Sequence, residues 1–254
     1  MATYLIEARM RAPIIAELPG LHLESILAAA VYLQTGLKHE AAADKTGIRK
    51  STVAGFSLYH ASSCFIPPAT KRSKVSVIRR RSRNEMGPEF YAGTRTTSTK
   101  KHAWSVDQGT DPYRALMVEY DALEATSCYW LAETDDPDRI LELLDAPELG
   151  GIGKRTGQGW GQIASVHYRE LPAGVSAVLD EAGFPRRVIP LPVYTEMTRG
   201  LPALPLEESP LRLMLRNYTV SGWENPPLLC VAPVAVLDPQ SLLAERVNDE
   251  VFFG

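Results

Sequence analysis

The first part of the chain shows a strand pattern, then a helix pattern, then a second strand pattern. Residues 3–11 (TYLIEARMR) alternate apolar and polar side chains, which predicts a strand. Residues 21–33 repeat apolar side chains at spacings of three and four, which predicts an amphipathic helix that Gly36 would close. Residues 38–52 are polar and irregular, and residues 53–66 predict a strand with a bulge or break. The two prolines that follow would end that strand.

The same patterns return after a long basic segment. Residues 113–120 and 127–133 each predict a strand. An Asp-Asp-Pro sequence before residues 138–144 predicts the start of a helix, because an acidic side chain caps the first amides and proline fits the first turn. A glycine-rich loop follows, and residues 160–168 predict the strand that leaves it.

The order of these elements is close to βαββαβ. It predicts an α+β protein with a ferredoxin-like or RRM-like domain over residues 1–170, carrying a basic insertion at about 67–110. Residues 171–254 are rich in proline and contain short strand patterns at 211–220 and 228–236. This part is expected to be a C-terminal elaboration or a degenerate second ferredoxin-like unit.

Charge is distributed unevenly along the chain. The net charge of the whole chain is −3, which by itself argues against a nucleic-acid partner. Residues 71–102, however, carry ten Lys or Arg against two Glu, a net charge of +8, so the remainder carries −11. Such asymmetry favours a polyanion partner for this basic arm, although charge alone does not distinguish RNA from DNA. The candidate contacts are Lys71, Arg72, Lys74, Arg79, Arg80, Arg81, Arg83, Arg95, Lys100, Lys101 and His102.

The second candidate site is the glycine-rich loop at residues 150–161. It holds six glycines in twelve residues, a third of the chain's 18. Glycine lets the backbone adopt positive φ and lets another chain approach its amides, which can then form an anion-binding concavity. Cations, an amide side chain and an aromatic ring would add hydrogen bonds and stacking. The candidate RNA-binding residues are Gly151, Gly153, Lys154, Arg155, Gly157, Gln158 and Trp160.

Two common glycine motifs do not fit this loop. A P-loop requires Gly-Lys followed by Ser or Thr at a strand-to-helix junction, whereas Arg155 follows Lys154 here. A Rossmann fingerprint requires a strand before the loop and a helix after it, which is the reverse of the predicted order. A turn without any ligand is the remaining structural alternative.

The titratable residues give a weak signal for catalysis. His102, beside two lysines, is the best candidate for a general base in metal-free RNA cleavage, but a phosphate contact is the simpler role. His22 is expected to pack or to cap a helix, and His167 could face either side of a strand. Glu7, Glu119 and Glu133 lie on predicted strands and are expected to be solvated. No two-metal site is indicated, and no cofactor is expected.

Cysteine usage and hydropathy indicate the compartment. The three cysteines are odd in number and lack metal-ligand spacing, which favours buried thiols in a reducing cytoplasm. No apolar run reaches 18 residues and the N-terminus lacks a secretory pattern, so no membrane partner is expected.

The loop sequence GIGKRTGQGWGQI, placed after the last helix of a ferredoxin-like domain, resembles the G-loop of the RAMP superfamily of CRISPR-associated proteins. Residues 13–15 and 21–28 resemble the opening of the type IV Cas-five-like subunit. Residues 130–144 precede the loop as they do in that family, and residues 191–193 and 223–233 resemble its C-terminal part. The loop is specific for the superfamily and less so for the subfamily.

The resemblance implies a non-catalytic subunit that caps the 5′ handle of the CRISPR RNA in a prokaryotic ribonucleoprotein and helps engage target DNA. Its implied partners are crRNA, target DNA, the filament subunit, the large subunit and a recruited helicase. The basic arm corresponds to a variable thumb-like insertion. Two alternatives stay open: a metal-independent CRISPR RNA-processing endonuclease of the same fold, and a nucleotide-binding regulatory protein.

Overall fold

The computed structural model describes residues 1–16, 20–67, 70–79, 116–200, 211–216 and 228–233. The strands of this part of the chain are β1 (Ala2–Met10), β2 (Ile14–Ile15), β3 (Lys50–Val53), β4 (Phe56–Tyr59), β5 (Lys71–Arg79), β6 (Leu116–Glu124), β7 (Ser127–Thr134), β8 (Ile163–Glu170), β9 (Ile189–Pro190), β10 (Leu211–Arg216) and β11 (Leu228–Pro233). The helices are α1 (Leu23–Thr35), α2 (His39–Ala43), α3 (Pro137–Leu144) and α4 (Leu191–Met197). Antiparallel sheets with separate helices are consistent with the predicted α+β class.

The central sheet is built around β1. It lies between β7 and β8 and is antiparallel to both. Residues 60–65 run antiparallel along the other side of β7: Phe65 and Tyr129 exchange backbone hydrogen bonds of 2.8 and 2.9 Å, and the Glu133 amide donates to the His60 carbonyl over 2.9 Å. The order across the sheet is therefore β8, β1, β7 and the 60–65 segment.

One face of this sheet is covered by α1 and α3. Ile6 of β1 and Trp130 of β7 are completely buried in the same cluster as Leu27 of α1 and Leu143 of α3. Each such side chain contributes about 1.5–3 kcal/mol when it leaves water. The Trp130 indole donates to the Leu21 carbonyl over 2.8 Å, which satisfies its one polar group and ties the sheet to the start of α1.

Both predicted helix boundaries are confirmed. Gly36 ends α1 with a φ of 75°, and its amide donates to the Tyr32 carbonyl over 2.8 Å. Asp136 caps α3, accepting a hydrogen bond from the Arg139 amide, and Pro137 occupies the first turn. The short helix α3 thus starts and ends at defined positions just before the glycine-rich loop.

The prediction that residues 38–52 are irregular was wrong, because this segment contains α2 and β3. The strand with a break that was expected over residues 53–66 corresponds to β4 followed by the 60–65 segment. β3 and β4 form a hairpin turned by Ala54 and Gly55, whose φ angles are 49° and 80°. Alanine seldom adopts positive φ, so the sequence lacks the usual Asn-Gly signal of such a turn.

Residues Ser73–Ala122 form a compact unit distinct from the rest of the chain. Within this unit the structure describes most of the adjacent strands β5 and β6. The first two residues of β5 and the last two residues of β6 belong to the larger unit. The short alternating stretch predicted at 74–78 is part of the nine-residue strand β5. The remainder of the predicted basic arm lies outside the described residues.

The C-terminal half contributes a second antiparallel sheet. Its strands follow the order β10-β11-β9, and α4 comes directly after β9. Strands are confirmed at both C-terminal positions that the sequence indicated, 211–216 and 228–233. Buried Val188, Cys230 and Ala232 cluster at this sheet.

Candidate nucleic-acid interface

The glycine-rich loop joins the end of α3 to the start of β8. A 3-10 turn at Pro147–Leu149 follows α3, and Gly150 leaves it with a φ of 64°. The loop then packs against the segment that contains β2. The predicted position of the loop, between the last helix and a strand of the domain, is confirmed.

Three of the six glycines are required by the chain's own backbone. A Cβ on Gly153 would lie 2.6 Å from the Ile15 carbonyl oxygen, and a Cβ on Gly161 only 1.9 Å from the Ile152 oxygen. A Cβ on Gly151 would lie 2.6 Å from the Gly161 oxygen. At these positions the expectation that glycine admits a foreign chain was wrong, because the neighbour that comes close is β2 or the loop itself.

Several loop amides already donate to protein carbonyls. The Lys154 amide donates to Ile15 over 2.7 Å, the Gly161 amide to Pro13 over 2.8 Å and the Ile152 amide to Gly161 over 2.9 Å. These amides cannot also bind a phosphate. The base of the loop is therefore a closed structural support, and the expected amide concavity does not include them.

The middle of the loop has a different character. Residues Thr156–Gln158 form a 3-10 turn whose ends are closed by the Gln158 and Gly159 amides, which donate to Arg155 and Thr156 over 2.9 Å. Gly157 and Gln158 are exposed. A turn fixed by its own hydrogen bonds can present side chains without losing much conformational entropy on binding.

The two cations of the loop directly precede this turn. Lys154 is exposed, and Arg155, Thr156 and Trp160 are half-buried. Arg155 has a φ of 64°, a left-handed conformation that costs a non-glycine residue about 1–3 kcal/mol and that clusters at functional sites. We call Lys154, Arg155, Gly157, Gln158 and Trp160 the loop rim. It combines two cations, an amide and an indole, the groups that hold a phosphate backbone and stack on a base.

A cavity of about 200 Å³ lies beside the base of the loop. Its lining includes Arg11, Gln162, Asp145, Gly150 and Gly151. The Arg11 amide donates to the Gln162 carbonyl over 2.8 Å, which joins two of these residues. Polar groups of both signs therefore lie next to the loop base.

The described part of the basic arm is the strand β5. Lys71, Arg72 and Lys74 are exposed, while Ser73 and Val75 are half-buried. Because side chains alternate along a strand, Arg72 and Lys74 lie on the same face. Lys71 pairs with Glu124 at 3.3 Å, and both side chains are solvent-accessible. Arg79 ends the strand, and Arg80, Arg81, Arg83, Arg95, Lys100, Lys101 and His102 lie outside the described residues.

The structure brings together a set of residues that the sequence did not link. Glu133, expected to be solvated, is 7% exposed, so this prediction was wrong. Its carboxylate contacts His60 and Arg49, at 2.8 and 3.0 Å. His60 in turn contacts Ser51 at 2.8 Å. Three of these residues lie at or beside the β3–β4 hairpin, and Glu133 of β7 is more than 70 positions later, so only the packing of the hairpin beside β7 makes them neighbours.

His22 and His167 have simpler surroundings. His22 occupies the position before α1 without a side-chain cap bond, and its ring contacts the Ser63 hydroxyl at 3.0 Å. His167 is exposed on β8 and contacts Ser165 at 3.2 Å.

No protein-family model matches this sequence, and comparison with curated proteins finds no significant relative. Among the described residues, no three His, Cys, Asp or Glu side chains are arranged to hold a metal ion. In the same part of the chain no helix has the length and apolar character needed to cross a bilayer.

Proposed function

We propose that this chain is an RNA-binding subunit, non-catalytic toward its RNA, of a type IV CRISPR effector, of the Cas-five-like family within the RAMP superfamily. In this role it caps the 5′ handle of the crRNA in the cytoplasm of a prokaryote and helps engage target DNA. Its protein partners are the filament subunit, the large subunit and a recruited helicase. The loop rim binds the RNA backbone.

The arrangement of the central sheet supports the fold part of this proposal. A ferredoxin-like domain has the order βαββαβ, with its fourth, first, third and second strands side by side and both helices on one face. The strands β8, β1, β7 and the 60–65 segment fit this order, and α1 and α3 cover one face. The glycine-rich loop follows the second of these helices, where the RAMP G-loop is expected.

The observation that carries the functional part is the contrast within the loop. Its base is closed by hydrogen bonds to Pro13 and Ile15, whereas Gly157 and Gln158 are exposed on a turn that its own backbone holds in place. The exposed Lys154 and the half-buried Arg155 directly precede that turn. The closed base accounts for three of the six glycines, and the loop rim adds two cations and an indole. A preorganised rim of cations favours a polyanion because little ordering entropy is lost on binding.

The basic strand β5 supports a second contact with nucleic acid. Arg72 and Lys74 present two exposed cations on one strand face, at the start of a segment with a net charge of +8. Such a row suits the phosphates of an extended strand, which repeat along one side of the backbone. We assign this contact to RNA or to target DNA.

Binding to a CRISPR RNA that carries its 5′ handle tests the proposal. The purified chain should bind this RNA more tightly than a scrambled RNA of equal length, and the double variant Lys154→Ala/Arg155→Ala should bind it more weakly. Lys38→Ala/Lys45→Ala removes the same charge from two exposed lysines elsewhere and should leave the affinity nearly unchanged. Equal losses in both double variants would contradict a specific role for the loop.

The same samples separate the rival functions. Site-specific cleavage of the RNA without metal, lost in His102→Ala, would favour the processing endonuclease. Calorimetric binding of a mononucleotide with higher affinity than the RNA would favour the regulatory protein. The proposal predicts intact RNA and no comparable nucleotide binding.

A further inference from the structure

Hydrogen bonds connect three side chains in a chain: Ser51 on β3, His60 directly after β4, and Glu133 on β7. The Ser51 hydroxyl lies 2.8 Å from His60 Nε2, and His60 Nδ1 lies 2.8 Å from Glu133 Oε2. A carboxylate only accepts hydrogen bonds, so Nδ1 of a neutral His60 carries the proton and donates it to Glu133. Nε2 is then the basic nitrogen, and it accepts from the Ser51 hydroxyl.

Glu133 is held firmly in its charged form. The Ala177 amide donates to its Oε1 over 3.1 Å, Ser176 donates to the same oxygen over 3.3 Å, and Arg49 donates to Oε2 over 3.0 Å. Burial alone would raise the pKa of Glu133, but the hydrogen bonds from His60 and Ala177 and the nearby charges lower it to about 2. A fixed carboxylate of this kind orients an imidazole and stabilises the imidazolium that forms when it takes a proton.

The surroundings of Ser51 are apolar on one side. Ser51 lies opposite Leu58 and Val53 opposite Phe56, and cross-strand partners share a face of the hairpin. Leu58 belongs to a buried cluster that half-buried Val53 and Phe56 join. Two half-buried side chains of the α4 helix, Tyr194 and Met197, pack against the same cluster. One side of the serine is therefore bounded by apolar side chains.

The opposite face of the hairpin is used differently. Lys50 contacts Glu40 and Asp44, at 2.6 and 3.0 Å, and Ser57 donates to Glu40 over 2.8 Å. The two serines of the hairpin thus have different partners: Ser51 an imidazole, Ser57 a carboxylate at the surface. Only the first pairing activates a hydroxyl as a nucleophile, because only an imidazole can take up its proton near neutral pH.

We propose that Ser51, His60 and Glu133 form a nucleophilic triad that hydrolyses small carboxylic esters with an apolar acyl group. Ser51 Oγ attacks the ester carbonyl carbon while its proton passes to His60 Nε2. Arg49, which contacts the same carboxylate oxygen as His60 and has a side chain 46% exposed, has further N–H groups to donate to the oxyanion. His60 then protonates the leaving alkoxide, and the alcohol departs.

Water completes the cycle. A water molecule gives its proton to His60 and attacks the acyl-serine, and the carboxylic acid leaves as the proton returns to Ser51 Oγ. The reaction consumes one water and one ester and yields one acid and one alcohol. This activity is independent of RNA binding, because none of its residues belongs to the loop rim or to β5.

A fluorophosphonate probe tests the nucleophile on the full chain. We expect a single covalent adduct by intact mass, mapped to Ser51, that is absent from Ser51→Ala and retained by the matched control Ser57→Ala. His60→Gln should label about a hundredfold more slowly, the usual effect of losing a general base. Circular dichroism checks that each variant is folded. No adduct on wild-type Ser51, or an unchanged labelling rate in His60→Gln, would refute the triad.

Two further readouts test the substrate class and the role of Glu133. Wild-type protein should hydrolyse p-nitrophenyl butyrate with a higher kcat/KM than p-nitrophenyl acetate, and absence of turnover would overturn the assignment as a hydrolase. Glu133 is a positioning residue, so Glu133→Gln should slow labelling of Ser51 at a pH where the variant is fully folded. Labelling at the wild-type rate in that variant would show that the hydrogen bonds connecting Ser51, His60 and Glu133 are only structural.

Discussion

The amide of Lys154 donates a hydrogen bond to the carbonyl of Ile15 over 2.7 Å, and the same contact brings Gly153 to within reach of that carbonyl. A residue expected to bind RNA is thus fixed through its backbone, while its side chain is exposed. The backbone and side chain of one residue have separate tasks: the amide holds the loop to β2, and the ammonium group belongs to the rim.

Alanine substitutions at three glycines should separate the base of the loop from its middle. Gly157→Ala should be nearly neutral, because its φ is not positive and nothing lies within 4 Å of the added Cβ. Gly159→Ala should cost about 1 kcal/mol, since its φ is 88° but the space is open. Gly153→Ala should cost about 3 kcal/mol, because it combines a φ of 90° with a 2.6 Å approach to Ile15.

Urea unfolding of the three variants measures this series directly. The expected order of the free energies of unfolding is Gly157→Ala, then Gly159→Ala, then Gly153→Ala, from most to least stable. If Gly153→Ala proved as stable as Gly157→Ala, the contact between the loop and β2 would not be a support of the loop.

Acid should destabilise the protein through Glu133. Its pKa in the folded chain is about 2, below the ordinary value of 4.5, so its stabilising effect is complete above about pH 5 and is lost as pH falls towards 2. A shift of this size corresponds to at most about 3 kcal/mol. Thermal unfolding between pH 7 and pH 3 should therefore show a smaller loss for Glu133→Gln than for wild type. An equal loss of stability in wild type and Glu133→Gln over this pH range would contradict the lowered pKa of Glu133.

Arg187 should be essential for stability. It is 2% exposed, forms a buried ion pair with Glu24 of α1, and donates to the carbonyls of Tyr59 and Ala61 at 2.5 and 3.0 Å. Burial raises the pKa of Glu24 even though Arg187 opposes that shift, so removal of Arg187 would leave an unfavourable carboxylate in the interior. Arg187→Met should cost about 3–5 kcal/mol in the free energy of unfolding.

The matched control for that variant is Arg199→Met. Arg199 pairs with Glu196 at the surface, where its side chain is 75% exposed, and its loss should change stability by less than about 1 kcal/mol. Similar unfolding midpoints for the two variants would show that the buried pair does not join the C-terminal half to α1 as described.

Local sequence signals predicted most of the central sheet and its helices. The strand patterns of β1 and β7, the spacing of α1, and the caps at Gly36 and Asp136 are properties of adjacent residues, and each appears in the structure. The position of the glycine-rich loop between α3 and β8 was predicted from the same local patterns. These elements were predictable because short-range sterics and hydrogen bonding decide them.

The features that sequence did not indicate depend on contacts between distant residues. Burial of Glu133 follows from the 175–177 segment, whose Ala177 amide lies 44 positions away. The need for glycine at position 153 follows from Ile15, more than a hundred residues earlier. No local pattern carries such information. All six loop glycines were therefore attributed to ligand binding from the sequence, whereas three of them are needed for close packing of the backbone.

Cations on β5 should contribute to binding separately from the loop rim. Arg72→Ala/Lys74→Ala should weaken binding of a single-stranded nucleic acid, because both side chains are exposed on one face of the strand. If loop and strand bind different stretches of phosphate, the effects of the two double variants on the binding free energy should add. Fluorescence anisotropy of the quadruple variant measures this, and a loss no greater than that of one double variant would contradict two contacts.

The salt dependence of crRNA affinity tests the loop rim most directly. Each cation that neutralises a phosphate of a single strand adds about 0.7 to the slope of log K against log salt, so Lys154→Ala/Arg155→Ala should make the slope shallower by about 1.4. The control Lys38→Ala/Lys45→Ala should keep the wild-type slope. Equal slopes for wild type and the loop variant would contradict contact between the rim and the RNA backbone.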